Sequence, residues 1–235
     1  MIQPKRTPKS KRKKSGGGGW REYAKLLFAA LAIAVCVKTF ILHAYRLPSR
    51  SMEDTLLAGD CLLVDKVSFG APLPFIDLRL PALTSPVPGD VLLFNYPLDP
   101  GKGYVKRCVA VAGQVVEIRD KALFVDGQRV PDPPYSKYLD ARIYRRFENQ
   151  RDNNGPLTVP EGYVFVMGDN RDNSRDSRHW GMLPLELVLG RTLFVYWSCQ
   201  PRSQFAGVEK ARSGAGAIAS FIERIRWARV GLWID

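Results

Sequence analysis

Two serines, Ser49 and Ser51, lie in a stretch whose composition could support nucleophilic chemistry. Residues 48–56 read Pro-Ser-Arg-Ser-Met-Glu-Asp-Thr-Leu. A serine hydroxyl attacks a carbonyl carbon efficiently only when a neighbouring base removes its proton. Ser51 is the candidate nucleophile and needs a base from elsewhere in the chain. Taken alone, the stretch has a simpler interpretation, because Ser51 followed by Asp54 is also the pattern of a helix N-cap.

The candidate base is Lys106, in the stretch Tyr-Val-Lys-Arg-Cys-Val-Ala-Val at residues 104–111. This composition predicts a β-strand, and the two-residue period of a strand places alternate residues on one face. The residues expected to share a face with Lys106 are Tyr104, Cys108 and Ala110. Burial of that face would disfavour the ammonium form and lower the lysine pKa from about 10.4. The neutral amine could then accept the serine proton, whereas Arg107 stays charged. Alternatively, Lys106 could lie on an exposed edge strand and protect it against aggregation.

A third polar segment follows the apolar residues 163–166. From residue 168 to residue 178 it reads Gly-Asp-Asn-Arg-Asp-Asn-Ser-Arg-Asp-Ser-Arg. Asp, Asn and Ser at this density favour turns held by side-chain-to-backbone hydrogen bonds. The aspartates at positions 169, 172 and 176 also raise a calcium-loop interpretation, but they lack the alternate-position ligands and terminal Glu of an EF-hand. We therefore expect no metal and no cofactor.

Together and in this order, the three segments resemble the sequence boxes of bacterial type I signal peptidases, a family of Ser–Lys proteases. Those boxes read close to P-S-x-S-M-x-P-T-L, then G-D followed by Y-x-K-R, then G-D-N-R-x-N-S-x-D-S-R. The pair Gly89-Asp90 before Lys106 fits the second box. The resemblance covers most of residues 20–198. Two residues depart from it: Asp54 stands where the family often has Pro, and Arg50 where Gly is common.

The resemblance implies roles for the polar residues of the three segments. Ser51 would be the nucleophile and Lys106 the general base. The supporting residues would be Ser49 as an oxyanion donor, Ser174 to orient the lysine amine, and an ion pair of Asp176 with Arg178 behind the site. The implied substrate is an exported preprotein, cleaved after a small residue beside its membrane-embedded signal sequence.

The element that would place this site at a membrane is N-terminal. Residues 1–19 contain seven lysines and arginines and no acid, and residues 26–44 are apolar apart from Lys38, Thr39 and His43. At about 1.5 Å per helical residue, the apolar stretch reaches roughly 28 Å, close to the thickness of a bilayer core. We predict a single transmembrane helix within residues 20–45 of a bacterial inner-membrane protein. The positive-inside rule makes the tail cytoplasmic and the remainder extracytoplasmic.

Two other interpretations explain the N-terminus less well. A cleaved secretory signal needs small residues at alternate positions near its end, and residues 42–46, Leu-His-Ala-Tyr-Arg, do not supply them. A nucleic-acid-binding arm would account for the net charge of +12, but lysines directly before an apolar stretch fit the membrane rule better. The expected partners are therefore preproteins and the lipid bilayer, without nucleic acid or metal.

Beyond the anchor, short β-branched and aromatic runs separated by Pro and Gly predict a mainly β catalytic domain over residues 46–205. The predicted strands are 61–67, 90–95, 104–111, 115–119, 122–125, 163–167 and 191–197. Residues 115–160 would form a small inserted β lobe or a long surface excursion. In the C-terminal segment, 206–235, residues 206–216 are small and flexible. Residues 218–233 alternate apolar groups with arginines, which fits a segment packed on the domain or one lying on a membrane surface.

The histidines and cysteines do not indicate another chemistry. His43 and His179 are the only histidines, and neither has the context of a Ser-His-Asp triad, so we interpret His179 as structural. The four cysteines are widely spaced single residues, with Cys36 in the predicted anchor and no CxxC pair.

Two alternatives stand beside the signal peptidase interpretation. A self-cleaving repressor-type protease shares the Ser–Lys dyad, but it would carry a DNA-binding helical domain, and residues 1–45 show no helix-turn-helix pattern. A membrane-tethered binding protein, in which the three segments are merely turns, is the non-enzymatic alternative.

Overall fold

The computed structural model describes residues 20–36, 42–70, 78–79, 81–201 and 220–234. It divides into two units, Met1–Val37 and Lys38–Asp235. The first unit contains α1, Trp20–Cys36. Large apolar side chains along α1 are exposed, namely Leu26, Leu27, Phe28, Leu31 and Ile33. None of the helices in the described ranges is both long and apolar enough for a membrane crossing.

The predicted anchor differs from the structure at its C-terminal end. Leu42–Arg46 is a strand, β1, which pairs antiparallel with β2, Asp60–Asp65. The prediction that residues 42–45 belong to a transmembrane helix is therefore wrong. Apolar residues in a half-buried strand have the same hydropathy as apolar residues in a span, so composition does not separate them. The basic tail, residues 1–19, lies outside the described residues.

The second unit is mainly β, as predicted. The strands after β2 are β3 Val91–Tyr96, β4 Asp99–Val111, β5 Val115–Arg119, β6 Ala122–Val125, β7 Gln128–Arg129, β8 Asn154–Thr158, β9 Tyr163–Met167, β10 Leu183–Pro184, β11 Val188–Ser198 and β12 Leu232–Trp233. The short helix α2 is Ser177–Trp180, and 3-10 turns lie at Leu185–Leu187 and Trp227–Arg229. All strand pairs are antiparallel in the described part of the unit.

The strands form two sheets. The larger has the order β1-β2-β11-β3-β4-β9-β10, with β12 paired to β11, and the smaller has the order β7-β6-β5-β8. Of the two alternatives for residues 115–160, the structure has a lobe with its own sheet. Of the two for residues 218–233, the described part, 220–233, is a segment packed on the domain, because β12 pairs with β11.

Three apolar clusters hold these layers together. One lies on one face of the large sheet and includes Met52 and Leu56 from the loop between β1 and β2. A second lies on the other face, so the neighbouring β3 residues Leu92 and Leu93 are both fully buried, in different clusters. The third cluster combines residues of β5 and β6 with Phe165 and Met167 of β9, and it joins the lobe to the large sheet.

The strand that carries Lys106 departs from a strict two-residue period. Cys108 pairs with Val166 and Ala110 with Phe165, so β4 contains a bulge between them. Because of this extra residue, Cys108 packs in the second cluster and Ala110 in the third. The prediction that Ala110 shares a face with Lys106 is therefore wrong.

Candidate active site

Ser51 lies in a tight turn between β1 and β2, which we call the serine turn, residues 50–56. The Glu53 N–H donates to the Arg50 carbonyl at 3.1 Å, and the Leu56 N–H donates to the Met52 carbonyl at 2.7 Å. The side chains of Met52 and Leu56 are fully buried and fix the turn to the sheet. The turn is not the start of a helix, so the N-cap interpretation of Ser51 is wrong.

The structure brings Ser51 and Lys106 together. The Nζ of Lys106 donates a hydrogen bond to Ser51 Oγ at 2.5 Å and another to the Val105 carbonyl at 3.1 Å. Both side chains are buried, with exposed fractions of 7% for Ser51 and 3% for Lys106. This distance allows direct proton transfer between the two groups.

The surroundings of Lys106 make its neutral form accessible. Burial lowers the pKa of Lys106 to about 8, although the carboxylates of Asp176 and Asp169 act to raise it. The guanidinium of Arg178 acts in the same direction as burial. Since an amine must be neutral to accept a proton, Lys106 can act as a base at mildly alkaline pH.

A cavity of about 340 Å³ gives access to this pair. It is lined by residues 47–51 and 103–106, together with Tyr45, Asn173 and Arg175. The Ser49 hydroxyl lies 3.2 Å from Ser51 Oγ, so both hydroxyls are at the same cavity wall. The Tyr45 hydroxyl donates to the Gly103 carbonyl at 2.5 Å and joins β1 to β4 beside the cavity.

Ser174 lies near the pair but does not contact the lysine amine as the resemblance implies. Its buried hydroxyl forms no hydrogen bond of normal geometry with any described residue. A Cβ placed on Gly168 would lie 2.2 Å from Ser174 Oγ and 2.5 Å from the Ser51 carbonyl oxygen. Gly168 therefore lies where the serine turn and the segment 168–178 are too close together to leave room for a side chain.

Asp176 and Arg178 form the buried ion pair that the resemblance implies. Nε and Nη2 of Arg178 donate to the two carboxylate oxygens at 2.9 and 2.8 Å, and the Gly168 N–H donates to Asp176 Oδ2 at 3.0 Å. Burial acts to raise the pKa of Asp176. The charge and hydrogen bonds of Arg178, together with the Gly168 N–H, lower that pKa to about 2. The carboxylate therefore stays charged. Its bonds keep Gly168 and Arg178, at the two ends of the segment, close to each other.

A second buried ion pair, between Arg107 and Asp169, received no role in the sequence analysis. Nε and Nη2 of Arg107 donate to the two oxygens of Asp169, both at 3.0 Å. The Thr55 hydroxyl donates to Asp169 Oδ2 at 2.7 Å, and the Asn170 N–H donates to the Ser51 carbonyl at 3.1 Å. This group joins β4, the segment after β9 and the serine turn.

The three aspartates of the calcium-loop interpretation have separate partners. Asp169 pairs with Arg107, and Asp176 pairs with Arg178. Asp172 pairs with Lys121 of the lobe at 2.9 Å and accepts the N–H groups of residues 139 and 140 at 2.7 Å each. Asp172 therefore fastens the lobe to the segment that supports the site.

Asp54, one of the two departures from the family pattern, has a backbone that proline cannot adopt. Its φ is +84°, whereas the proline ring fixes φ near −65°. We predict that Asp54→Pro lowers the free energy of unfolding by at least about 1 kcal/mol and reduces the reactivity of Ser51 about tenfold by displacing it.

Asp54→Gly is the matched control, because glycine adopts positive φ without strain. It removes only an exposed ion pair with Lys137, 3.1 Å long, worth at most about 1 kcal/mol. Urea unfolding and the rate of Ser51 acylation compare the two variants. Equal behaviour of Asp54→Pro and the parent chain would show that the turn does not need this conformation.

Comparisons with known proteins agree with the arrangement of these residues. A family model described as "Signal peptidase, peptidase S26" matches residues 20–197. Signal peptidase I of Pseudomonas fluorescens is 36% identical over 215 residues, which cover 79% of this chain and 75% of that protein. Signal peptidase I of Pseudomonas aeruginosa is 32% identical, with 75% and 72% covered. Probable signal peptidase I-1 of Synechocystis is 34% identical, with 75% and 82% covered.

The mainly β fold and these similarities define the class of the protein as a serine endopeptidase. The chain belongs to the peptidase S26 family of signal peptidases. The resemblance found in the sequence is confirmed, and the non-enzymatic interpretation is set aside.

Proposed function

We propose that this chain removes signal peptides from exported preproteins, with Ser51 as the nucleophile and Lys106 as its general base. The observation that carries the proposal is the 2.5 Å hydrogen bond between Lys106 Nζ and Ser51 Oγ, at a buried lysine whose pKa is lowered to about 8. The substrate class is supported by relatives that are signal peptidases by name.

In the acylation half of the reaction, neutral Lys106 takes the proton of Ser51 Oγ, and the oxygen attacks the scissile carbonyl carbon. The Ser49 hydroxyl and the Ser51 backbone N–H would donate hydrogen bonds to the resulting oxyanion. No described residue accepts a hydrogen bond from that N–H, so it is available to the substrate. When the C–N bond breaks, the lysine ammonium protonates the leaving amine, and the mature chain departs.

In the deacylation half, a water molecule replaces the departed amine. Lys106 takes a proton from this water, whose oxygen attacks the ester carbonyl carbon. The ester bond to Ser51 breaks, Ser51 Oγ recovers a proton from the lysine ammonium, and the signal peptide leaves with a free carboxylate. We assign Ser174 the task of orienting the amine in this cycle, although it does not bond Lys106 before substrate binds, because its hydroxyl is buried against Gly168 beside the serine turn.

We further propose that α1 anchors the chain in the bacterial inner membrane in a single pass, with residues 1–19 in the cytoplasm. The exposed apolar side chains of α1 would favour contact with lipid. The seven basic residues before it favour a cytoplasmic tail. The catalytic domain would then act on the extracytoplasmic side, where a preprotein emerges.

The proposal is tested by incubating the detergent-solubilised full chain with a preprotein and measuring the released signal peptide. The parent chain is expected to cleave, and Ser51→Ala to be slower by at least about 10³-fold, because no nucleophile remains. Ser68→Ala is the matched control, since the Ser68 hydroxyl bonds Asp65 at the end of β2; it should cleave like the parent. Cleavage by Ser51→Ala at the parent rate would contradict the proposal.

A further inference from the structure

We infer that Arg229, in the C-terminal segment, is a positioning residue that holds the serine turn in place for the reaction. The inference rests on the proposed role of Ser51. Arg229 lies outside residues 20–197, the part matched by the family model.

The contacts converge on Asp60, which has no exposed surface. Nη2 of Arg229 donates to Asp60 Oδ2 at 2.7 Å, and Nε lies 3.1 Å from the same oxygen and 3.3 Å from Oδ1. The Leu57 N–H donates to Asp60 Oδ2 at 2.8 Å, and the Ser198 hydroxyl donates to Oδ1 at 2.6 Å. Arg229 is thus the nearer of two cations beside this buried carboxylate, four residues after the serine turn; Nη2 of Arg226 lies 3.9 Å from Asp60 Oδ1.

The same guanidinium reaches into the serine turn. Nη2 of Arg229 donates to the Thr55 carbonyl at 2.8 Å. The Thr55 side chain donates to Asp169, the partner of Arg107. Thr55 is therefore held at two points. Its hydroxyl bonds Asp169 of one ion pair, and its carbonyl accepts from Arg229 of the other. Because Thr55 is four residues from Ser51, loss of either tether allows the turn to shift.

The C-terminal segment is itself well held on the domain, so Arg229 is presented by a fixed support. The Gly231 N–H donates to the Val195 carbonyl at 2.8 Å, and the Arg226 N–H donates to the Ser198 carbonyl at 3.0 Å. The rings of Trp227 and Trp197 pack edge to face, with centroids 5.8 Å apart. Both sides of the contact, the C-terminal segment with Arg229 and the serine turn, belong to the same unit of the protein.

The planar guanidinium is suited to this position because it donates to the carboxylate and the carbonyl together. A lysine ammonium is a point charge on a flexible stem and does not reproduce that fork. Arg229→Lys should therefore restore the charge near Asp60 but only part of the geometry. If Arg229 acted through its charge alone, Arg229→Lys would have the same kcat as the parent.

The test uses the full-length chain and compares kcat, KM and thermal unfolding. Arg229→Gln is expected to lower kcat by about 10- to 100-fold with little change in KM, as for a misplaced nucleophile. The kcat of Arg229→Lys is expected to lie between that of Arg229→Gln and that of the parent. Arg224→Gln is the matched control, because it removes the same charge from the same segment while Arg224 contacts the Ser220 carbonyl; its kcat should equal that of the parent.

A double variant separates positioning from stability. Arg229→Met with Asp60→Asn removes the arginine without leaving an unpaired buried carboxylate, so much of the thermal stability should return. The Thr55 carbonyl still lacks its donor, so kcat should stay low. Recovery of kcat together with stability would overturn the inference, as would a normal kcat in Arg229→Gln. Failure of the proposed function is distinguishable, because the parent chain would then not cleave the preprotein, or Ser51→Ala would cleave it at the parent rate.

Discussion

Replacing Lys106 with methionine is expected to abolish preprotein cleavage while increasing the stability of the protein at neutral pH. Methionine cannot take the proton of Ser51, so kcat should fall by at least about 10⁴-fold. The stability gain follows from burial: the folded pKa of Lys106 is lowered to about 8, whereas the unfolded value is about 10.4. Below pH 8 the folded state must hold a buried ammonium, and removing it should increase the free energy of unfolding by about 1–3 kcal/mol.

The sign of the pH dependence provides a further check. Between a pH of about 8 and about 10.4, the unfolded chain binds more protons at Lys106 than the folded chain does, so this group makes the parent more stable as pH rises. Lys106→Met should lose that rise. Lys102→Met is the matched control on the same strand, because Lys102 is exposed and pairs with Asp99; it should cleave normally. A Lys106→Met variant that cleaves at the parent rate, or one that is less stable than the parent at neutral pH, would contradict the prediction.

Replacing Gly168 with alanine is expected to have the second largest effect. The added Cβ would lie 2.5 Å from the Ser51 carbonyl oxygen and 2.2 Å from Ser174 Oγ. The first contact is with the backbone of the nucleophile itself, so the serine turn must move. We expect kcat to fall by about 100-fold and the free energy of unfolding to fall by about 1–3 kcal/mol.

Two further variants test that explanation. Gly101→Ala is the matched control, because its Cβ would meet only Asp99 Oδ1, at 3.5 Å; it should behave like the parent. Gly168→Ala combined with Ser174→Gly removes the clash with the hydroxyl but leaves the clash with the Ser51 carbonyl, so kcat should remain low. Full activity in Gly168→Ala would show that the two segments tolerate a wider separation.

The sequence predicted the mainly β fold, and its resemblance to the signal peptidase boxes selected Ser51 and Lys106. Strand patterns are local, which is why most predicted strands agree with those observed. Local patterns failed where one pattern fits two structures. The pair Ser51 and Asp54 matches a helix cap, but these residues lie in a turn. Residues 42–45, which are apolar apart from His43, match the end of a membrane span, but they lie in the strand β1. In both cases, contacts with residues elsewhere in the chain decide which of the two structures forms.

The parts that could not be predicted depend on contacts between residues far apart in the chain. Arg107 and Asp169 are 62 positions apart, and Asp60 and Arg229 are 169 positions apart. The bulge that moves Ala110 to another face depends on pairing of β4 with β9. Neither spacing nor composition specifies such contacts, although a charged residue inside an apolar strand, such as Arg107, signals that a buried partner exists.

The central claim, that neutral Lys106 activates Ser51, is tested most directly by the pH dependence of the first cleavage turnover. Burial lowers the pKa of Lys106 to about 8, and only the neutral amine accepts a proton. The rate should therefore be constant at higher pH and fall about tenfold per pH unit below about 8. Lys106→Met should show no such rise with pH. A parent rate that stays unchanged down to about pH 5 would contradict the assignment of Lys106 as the base.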